Sequence, residues 1–172
     1  RSIPMESVMA QAVHLVNHGV REVCLVAPET TLYGLDLYGR KSLPKLLQML
    51  SSIEDLKWIR LLYCYPEEIT DELISEIKSN PKVCHYIDMP IQHCENAVLK
   101  RMGRATTKEE ILERISYIRK EIPDIVLRTS LIAGFPGETK EEHEALMEFV
   151  DEVEFNRLGV FTYSLEEYTP AA

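Results

Sequence analysis

Helical and strand patterns alternate along the whole of this 172-residue sequence, and the alternation excludes most folds. Short apolar runs occupy residues 23–27, 58–63, 86–89, 125–133 and 158–163, and a segment with a helical apolar face precedes each of them. Strands that alternate with helices favour a parallel sheet joined by helical crossovers. We therefore predict an α/β fold with about five parallel strands and five main helices.

Polar capping residues mark the starts of three of these helices. Thr107 and Glu110 have the spacing of a capping box, as do Thr139 and Glu142, and Thr70 precedes two acidic residues. The strand segments themselves are apolar at successive positions, which is typical of a sheet that is covered on both faces. For a sheet curved like part of a barrel, we expect the helices to lie outside.

Most of the unusual polar residues lie in the loops that end the strands. In chain order these loops contain APETTLYGLDLYG, YCYPEE, PIQHCEN, AGFPGET and TYSLEEYTPA. In parallel α/β folds, ligands bind at the carboxyl ends of the strands, where such loops lie together. The sequence therefore predicts a binding site at this edge of the sheet.

The length and the order of the patterns predict an incomplete barrel. A complete eight-stranded α/β barrel usually takes about 250 residues, and this sequence has 172. It opens with a helical pattern where the alternation requires a strand, and it stops shortly after the last strand. We expect residues 1–172 to form a single domain, a partial barrel whose first strand is missing.

The charge balance is acidic, with 19 basic and 28 acidic residues and a net charge of −9. This balance argues against a chain that binds nucleic acid through its overall charge. Lys100, Arg101 and Arg104 form one compact basic cluster, which either contacts an acidic partner or RNA, or is a solvated helix end. No apolar run approaches the roughly 18 residues of a membrane span, so no membrane association is expected.

Four cysteines are scattered along the chain, and no two have a CxxC or CxxxC spacing: Cys24, Cys64, Cys84 and Cys94. Isolated cysteines in apolar segments are typically small core residues. Without a secretion signal, this usage indicates a reducing, cytoplasmic location. No metal site is expected within this chain.

Several polar residues after the strands are candidates for ligand contacts. Glu29 is suited to pair with a ligand ammonium group, or is a solvated loop carboxylate. Gln92 can both donate and accept hydrogen bonds, and His93 is either an acid–base group or a structural residue. Gly134 and Gly137 either allow a ligand to approach the backbone closely or form only a strand-to-helix turn.

Five segments together resemble the radical S-adenosylmethionine methylthiotransferases, in the order and spacing of that family. They are LVAPETTLYGLDLYG, WIRLLYCYPEEITDELI, YIDMPIQHCENAVLKRMGR, LRTSLIAGFPGET and RLGVFTYSLEEYTPA. The resemblance implies a partial (β/α) TIM-like barrel of the radical SAM type, which binds S-adenosyl-L-methionine. It also implies two four-iron four-sulfur clusters in the full-length protein.

The cluster ligands of that family are expected to lie outside this chain. The family holds its radical cluster with CxxxCxxC in the loop after the first barrel strand, and this motif is absent here. The N-terminal methylthiotransferase domain and the C-terminal RNA-binding-like domain of the family are absent as well. We therefore expect an incomplete radical SAM core that is inactive by itself.

The resemblance places the cofactor against seven residues. Glu29 would meet the methionyl ammonium group, and Gly134 and Gly137 would let the backbone approach the methionyl or adenosyl part. Further polar or stacking contacts would come from Gln92, Arg128, Ser130 and Tyr163. Arg128 is equally suited to an internal salt bridge. Pro28 stands where the family commonly has glutamine, and it removes an amide donor from the loop before Glu29.

The details of the sequence favour one branch of the family. YGLDLYG and GVFTYS are typical of enzymes that add a methylthio group to the β-carbon of an aspartate in a small-subunit ribosomal protein. The tRNA adenosine methylthiotransferases typically show a QSGS-like stretch where this chain has QHCEN. That tRNA activity, a barrel for a phosphorylated metabolite and a non-catalytic α/β binding module are the alternatives.

Overall fold

The computed structural model describes residues 1–171, which form one five-stranded parallel sheet. Its strands are β1 (Glu22–Leu25), β2 (Trp58–Leu61), β3 (Val83–Asp88), β4 (Val126–Ala133) and β5 (Arg157–Thr162). Each strand pairs in parallel with the next one along the chain. This sequential order is the winding of a (β/α) barrel, since a doubly wound sheet reverses its strand order. The predicted partial barrel of five parallel strands is confirmed.

Residues 1–171 contain seven α-helices and a 3₁₀ turn at Pro66–Glu68. The helices are α1 (Met5–Asn17), α2 (Leu35–Tyr38), α3 (Leu43–Ser51), α4 (Asp71–Ser79), α5 (Asn96–Arg101), α6 (Lys108–Glu121) and α7 (Lys140–Val153). The five longest are the predicted ones; α2 and α5 are too short to show an apolar period. None of the helices in this part of the chain is long and apolar enough to cross a membrane.

The predicted capping residues begin their helices as expected. Thr107 and Thr139 each accept a hydrogen bond from the backbone N–H of the glutamate three residues on, and each glutamate side chain accepts one from the backbone N–H of its threonine. Thr70 accepts from the N–H of Leu73. Each cap stabilises its helix by about 1 kcal/mol. The local sequence therefore sets where α4, α6 and α7 begin.

The helices cover the outer face of the sheet, as predicted for a partial barrel with outer helices, and the apolar strand patterns that are typical of a doubly covered sheet do not correspond to a second layer of helices. One face carries buried apolar side chains that pack against the helices: Val23, Ile59, Ile87, Leu127 and Leu131. Residues of opposite alternation form the inner face of the partial barrel, which mixes apolar and polar side chains. Its polar members include Glu22, Arg60, Tyr86, Asp88, Arg128 and Ser130. This inner face leads to the loops at the carboxyl ends of the strands.

Candidate functional site

A cavity of 740 Å³ opens at the carboxyl ends of the strands. Aromatic and aliphatic side chains with a few polar ones form its wall: Val26, Ala27, Pro28, Tyr63, Tyr65, Pro90, Gln92, Arg128, Ser130, Ile132 and Phe161. Small-molecule sites in proteins commonly have this size and this mixture of groups. Three of the seven predicted cofactor residues, Gln92, Arg128 and Ser130, converge here, at the edge of the sheet where the loops predicted a site.

Arg128 reaches the cavity from β4 and is anchored by Asp88 on β3. Its Nη1 donates to Oδ1 of Asp88 at 2.5 Å, and the Asp88 side chain is only 2% exposed. This hydrogen bond raises the pKa of Arg128 above its ordinary value. Oδ2 of Asp88 accepts from the N–H of Tyr63 at 3.2 Å, so one carboxylate orients two residues of the wall. The internal salt bridge of Arg128 is thus present, and its contact with a cofactor stays a prediction.

Two non-glycine residues of the wall have a left-handed backbone, Tyr63 with φ 57° and Gln92 with φ 71°. This conformation costs roughly 1 kcal/mol for a residue with a Cβ, and it persists where surrounding contacts impose it. The contacts at Gln92 come from β4: its N–H donates to the carbonyl of Ser130 at 3.0 Å, and its carbonyl accepts from Ile132 at 2.8 Å. The backbone of Gln92 is therefore fixed beside the cavity.

Glu29 follows Pro28 at the edge of the cavity and is already hydrogen-bonded within the chain. It accepts from the N–H of Thr31 at 3.0 Å, from the hydroxyl of Thr31, and from the N–H of Tyr65 at 3.2 Å. Burial raises the pKa of Glu29 above its ordinary value, and the hydrogen bonds from Thr31 and Tyr65 oppose that effect. The carboxylate ties the loop after β1 to the loop after β2. Its contact with a ligand ammonium group stays a prediction.

The loop after β4 is organised by Glu138, a residue that the sequence analysis did not single out. Its Oε2 accepts from the N–H of Gly134 at 2.5 Å and from that of Phe135 at 2.9 Å. Gly134 and Gly137 have φ of 77° and 79°, the left-handed region that glycine adopts without a steric penalty. The strand-to-helix turn is therefore real. A Cβ on Gly134 would meet nothing within 4 Å, so a ligand has space to approach there.

His93 lies beneath this loop and not in the cavity. Its side chain is fully buried, and its Nδ1 accepts from the N–H of Glu95 at 3.0 Å. The ring proton therefore sits on Nε2, which faces Oε1 of Glu138 at 3.6 Å. Burial lowers the pKa of His93, although Glu138 acts in the opposite direction. These contacts fit the structural alternative for His93 and not an acid–base group open to a ligand.

The last two predicted residues, Gly137 and Tyr163, are not in the cavity wall, and neither are Glu29 and Gly134. The carbonyl of Gly137 accepts from Nη2 of Arg101 at 3.1 Å. Tyr163 follows β5 and packs edge-on against Phe135, with 5.6 Å between the ring centroids. Its hydroxyl donates to the carbonyl of Ala171 at 2.7 Å. The cofactor contacts of Gly137 and Tyr163 stay predictions.

Two members of the basic cluster are held by ion pairs within the chain. Arg101 pairs with Glu142 at 2.9 Å. Arg104 pairs with Glu67 at 3.4 Å and stacks on the ring of Tyr65 at 3.9 Å, which leaves 8% of its side chain exposed. Lys100 is exposed. The free positive charge of the cluster is therefore much smaller than its sequence indicates.

The four cysteines lie in different environments. Cys64 and Cys94 are buried, Cys84 is half-buried and Cys24 is exposed on the inner face of β1, so the prediction of a core position is wrong for Cys24. Cys64 lies after β2 and not within it. Burial raises the pKa of Cys94 to about 11 and that of Cys64 further. Thiolates, the form that binds metals, are therefore disfavoured at both positions.

Reconstitution of this chain with iron and sulfide is expected to give no stoichiometric iron–sulfur chromophore. A cluster needs thiolates that converge on one centre. Among residues 1–171, no group of three or more histidine, cysteine or acidic side chains is placed to hold a metal ion. Visible absorbance and iron content measure the result. A stable cluster at about 1 per chain, lost when these cysteines are replaced with serine, would contradict it.

Four residues of the site escaped the sequence analysis: Tyr63, Tyr65, Asp88 and Glu138. For Asp88 a signal was present, because an acidic residue that ends an apolar strand must find a partner. A signal was present for Glu138 as well, since a carboxylate at the start of a helix can accept hydrogen bonds from backbone N–H groups. Nothing local marks the two tyrosines, because their role depends on the loop after β2 folding against β3.

Comparisons with known proteins agree with the resemblance carried by the five segments. Residues 1–150 match the model of the Radical SAM superfamily. Over all 172 residues the chain is 60% identical to the ribosomal protein uS12 methylthiotransferase RimO of Lachnoclostridium phytofermentans, and 58% identical to that of Clostridium botulinum. In both cases the chain spans 39% of the length of the relative.

Solved structures with radical SAM chemistry share the fold. The radical S-adenosylmethionine methyltransferase TsrM of Kitasatospora setae, with cobalamin and a [4Fe-4S] cluster bound, matches with a TM-score of 0.75 and 20% identity. The match covers 98% of this chain and 32% of TsrM. At that identity the likeness shows the fold alone. Together with the match over residues 1–150, the partial barrel shows that this chain belongs to the radical SAM superfamily.

Proposed function

We propose that this chain is the cofactor-binding part of a radical SAM methylthiotransferase that modifies the β-carbon of an aspartate in a small-subunit ribosomal protein. The observation that carries this proposal is the 60% identity, over the whole chain, to a ribosomal protein uS12 methylthiotransferase. Since the chain spans 39% of that relative, the activity belongs to a longer protein. In it, this incomplete radical SAM core joins a methylthiotransferase domain and an RNA-binding-like domain.

The cavity at the carboxyl ends of the strands suits S-adenosyl-L-methionine. Its apolar and aromatic wall offers surfaces for an adenine ring, from Tyr63, Ile132 and Phe161. Gln92 and Ser130 offer hydrogen bonds to hydroxyl and amino groups. Three of the seven predicted residues line this cavity, and the backbone of Gly134, in the loop after β4, is exposed.

The residues of this chain bind and orient, and the cofactors carry the chemistry. When bound, S-adenosyl-L-methionine and the iron–sulfur clusters supply one-electron and methyl-transfer chemistry. Asp88 fixes Arg128 in the cavity wall, and Glu138 fixes the loop that starts at Gly134. The tyrosines after β2, Tyr63 and Tyr65, line the cavity and offer ring surfaces to a ligand. Residues 1–171 do not fit an iron–sulfur cluster, whose ligands we propose to lie outside the chain.

A protein substrate is better supported than tRNA. The chain carries a net charge of −9, and phosphate contacts depend on lysine and arginine side chains. Two of the three basic-cluster residues are ion-paired, so any contact of this cluster with the ribosome or RNA falls mainly to Lys100. The unpaired cysteines support a cytoplasmic location. An assay of the full-length protein with both substrates separates the two activities.

Binding of S-adenosyl-L-methionine to this chain is expected to be weak, with a Kd of about 1 mM, which corresponds to a binding free energy of about 4 kcal/mol. The replacement Gly134→Val is expected to abolish it. At a φ of 77° a β-branched side chain is strained, and it would occupy the open space beside the Gly134 Cα. Isothermal calorimetry or ligand-observed NMR on the wild type and the variant measures the difference.

Gly19→Val is the matched control, since Gly19 also has a positive φ and open space but precedes β1 at the other end of the strands. It is expected to bind like the wild type. Equal binding by a folded Gly134→Val variant would show that the loop is only a turn. No binding by the wild type, together with tight phosphate binding, would favour a barrel for a phosphorylated metabolite. Binding of neither ligand would favour the non-catalytic module.

A further inference from the structure

Three arginines lie on the inner face of the sheet, and one of them has no partner. Arg60 pairs with Glu22 at 2.6 Å, and Arg128 pairs with Asp88. Arg157, the first residue of β5, is exposed, and no ion pair or hydrogen bond holds its side chain in the described part of the chain. One positive charge on this face is therefore uncompensated, although the whole chain carries a net charge of −9.

The strand register places Arg157 directly beside Arg128. The two residues are paired in the parallel ladder between β4 and β5, so their side chains leave the same face of the sheet from strands about 4.8 Å apart. Arg128 lines the cofactor cavity, which identifies this face as the inner one. Asp88 compensates only one of these two neighbouring positive charges, and an anion between them would relieve their repulsion.

The guanidinium of Arg128 keeps one nitrogen free on the side of β5. Its Nη1 donates to Asp88, whereas its Nη2 makes no hydrogen bond in the described part of the chain. This Nη2 lies 3.7 Å from the position that a Cβ on Gly159 would occupy. Gly159 lies on the same face as Arg157, two positions further along β5. The inner surface of β5 beside the free nitrogen is therefore bare backbone, which leaves room for a small ligand group.

The charge of Arg157 acts across the inner face. Burial and Asp88 raise the pKa of Tyr86 above its ordinary value, and Arg128, Arg60 and Arg157 act in the opposite direction. Tyr86 lies on β3, two strands away from β5. The guanidinium of Arg157 is therefore directed over the inner face and not away from it.

We propose that Arg157 and the free Nη2 of Arg128 bind the side-chain carboxylate of the substrate aspartate, an inference that rests on the proposed function. Guanidiniums hold carboxylates through charge-assisted hydrogen bonds from paired N–H donors. Three guanidiniums and two carboxylates on this face leave one surplus positive charge, which matches one carboxylate. A doubly charged phosphate fits less well, because Asp88 and Glu22 would repel it.

The cofactor also has a carboxylate, but its predicted place is at the other end of the sheet. Glu29, the predicted partner of the methionyl ammonium group, follows β1, whereas Arg157 lies on β5, and the strand order runs from β1 to β5. The methionyl carboxylate is bonded to the same carbon as that ammonium group. In the described part of the chain, β5 has a neighbouring strand on one side only, so a segment of a protein substrate can approach Arg157 from the free side.

The test is an NMR titration of the ¹⁵N-labelled chain with the peptide acetyl-Gly-Asp-Gly-amide at low salt, without S-adenosylmethionine. Shifts are expected in the amides of β4 and β5 around Arg128 and Arg157. The asparagine peptide, which has the same shape without the charge, is expected to cause no shift there. Arg157→Gln is expected to weaken binding of the aspartate peptide about tenfold, and Arg157→Lys, which keeps the charge, is expected to weaken it less. Arg40→Gln, the same change at an exposed arginine between α2 and α3, is expected to leave it unchanged.

Three results of this titration would overturn the inference. Equal binding of the asparagine peptide would show that the site does not recognise a carboxylate. Unchanged affinity in Arg157→Gln would show that Arg157 only protects the free edge of β5 from pairing with other strands. Tighter binding of inorganic phosphate than of the aspartate peptide would assign the arginines to a phosphorylated ligand. Arg157→Gln should fold, because the side chain that it changes is exposed, and a thermal melt checks this.

Calorimetry with S-adenosylmethionine separates this inference from the proposed function. Arg157→Gln is expected to bind the cofactor like the wild type. Loss of cofactor binding in this variant would assign the bound carboxylate to the methionyl group and overturn the substrate assignment. Cofactor binding by a wild type that does not bind the aspartate peptide would refute the arginine site alone. Peptide binding by a chain that binds no cofactor would refute the proposed function and leave the carboxylate site in place.

Discussion

Replacing Asp88 with alanine is expected to lower the free energy of unfolding by about 3 kcal/mol at neutral pH. The change removes the carboxylate that lies 2.5 Å from the Arg128 guanidinium, and it also removes the acceptor for the N–H of Tyr63. Breaking one partner of a buried ion pair costs roughly 3–5 kcal/mol. The lower figure applies because 34% of the Arg128 side chain remains exposed. Urea denaturation followed by circular dichroism measures the loss.

A second substitution separates the ion pair from simple loss of packing. The double variant Asp88→Ala with Arg128→Met is expected to be more stable than Asp88→Ala alone, because no guanidinium is left unpaired. Asp151→Ala, on an exposed turn of α7, is expected to change the free energy of unfolding by less than about 0.5 kcal/mol. A loss below about 1 kcal/mol in Asp88→Ala would show that the pair does not hold this edge of the sheet.

Replacing Glu138 with alanine is expected to lower the free energy of unfolding by about 2 kcal/mol at pH 7. It is also expected to weaken binding of S-adenosylmethionine. The carboxylate accepts hydrogen bonds from Gly134, Phe135 and His143, and its side chain is 2% exposed. Water can reach the freed N–H of Gly134, which limits the loss. Without Glu138, the loop beside the cofactor cavity loses the acceptor that orders its backbone.

The pH dependence of this effect has a definite sign. Burial raises the pKa of Glu138, but the hydrogen bonds from His143, Phe135 and Gly134 outweigh it and hold the pKa below its ordinary value of 4.5. A carboxylate with a lowered pKa stabilises the fold above its unfolded pKa and loses that contribution as pH falls through the folded value. The difference between wild type and Glu138→Ala is therefore expected to be full at pH 7 and to shrink below pH 4.5.

Glu141→Ala is the matched control for Glu138→Ala, since Glu141 is an exposed acidic residue in the first turn of the same helix. It is expected to change the free energy of unfolding by less than about 0.5 kcal/mol at any of these pH values. Urea denaturation at pH 7 and pH 4 compares the two variants. An equal loss in both would show that the charge near the helix start matters and not the hydrogen bonds to the loop.

The sheet was predictable because its signals are local. An apolar run bounded by polar turns predicts a strand by itself, and Thr107 with Glu110 predicts a helix start within four residues. The strand ends were less accurate. β3 begins at Val83, three residues before the predicted start, because His85 interrupts the apolar run. The outer position of the helices was predicted correctly, but the apolar runs did not show which of their alternating residues meet the helices.

The location of the site could be predicted from the sequence, but the contacts of its side chains could not. The strand-end loops indicated the correct edge, and Gln92, Arg128 and Ser130 line the cavity there. Glu29, by contrast, was predicted to contact a ligand, but it accepts a hydrogen bond from the backbone N–H of Tyr65, which lies 36 positions away in the sequence. No local pattern shows that such a carboxylate is already bonded.

The sequence by itself determined the order of the strands, the starts of the main helices and the family, because apolar periodicity, capping and motif order are written within short segments. Only the tertiary structure decided which charges are free. Arg104 pairs with Glu67 across 37 positions, and Arg128 pairs with Asp88 across 40. Whether a polar group is satisfied or available depends on which distant segment packs beside it, and this packing is set by burial of the whole core.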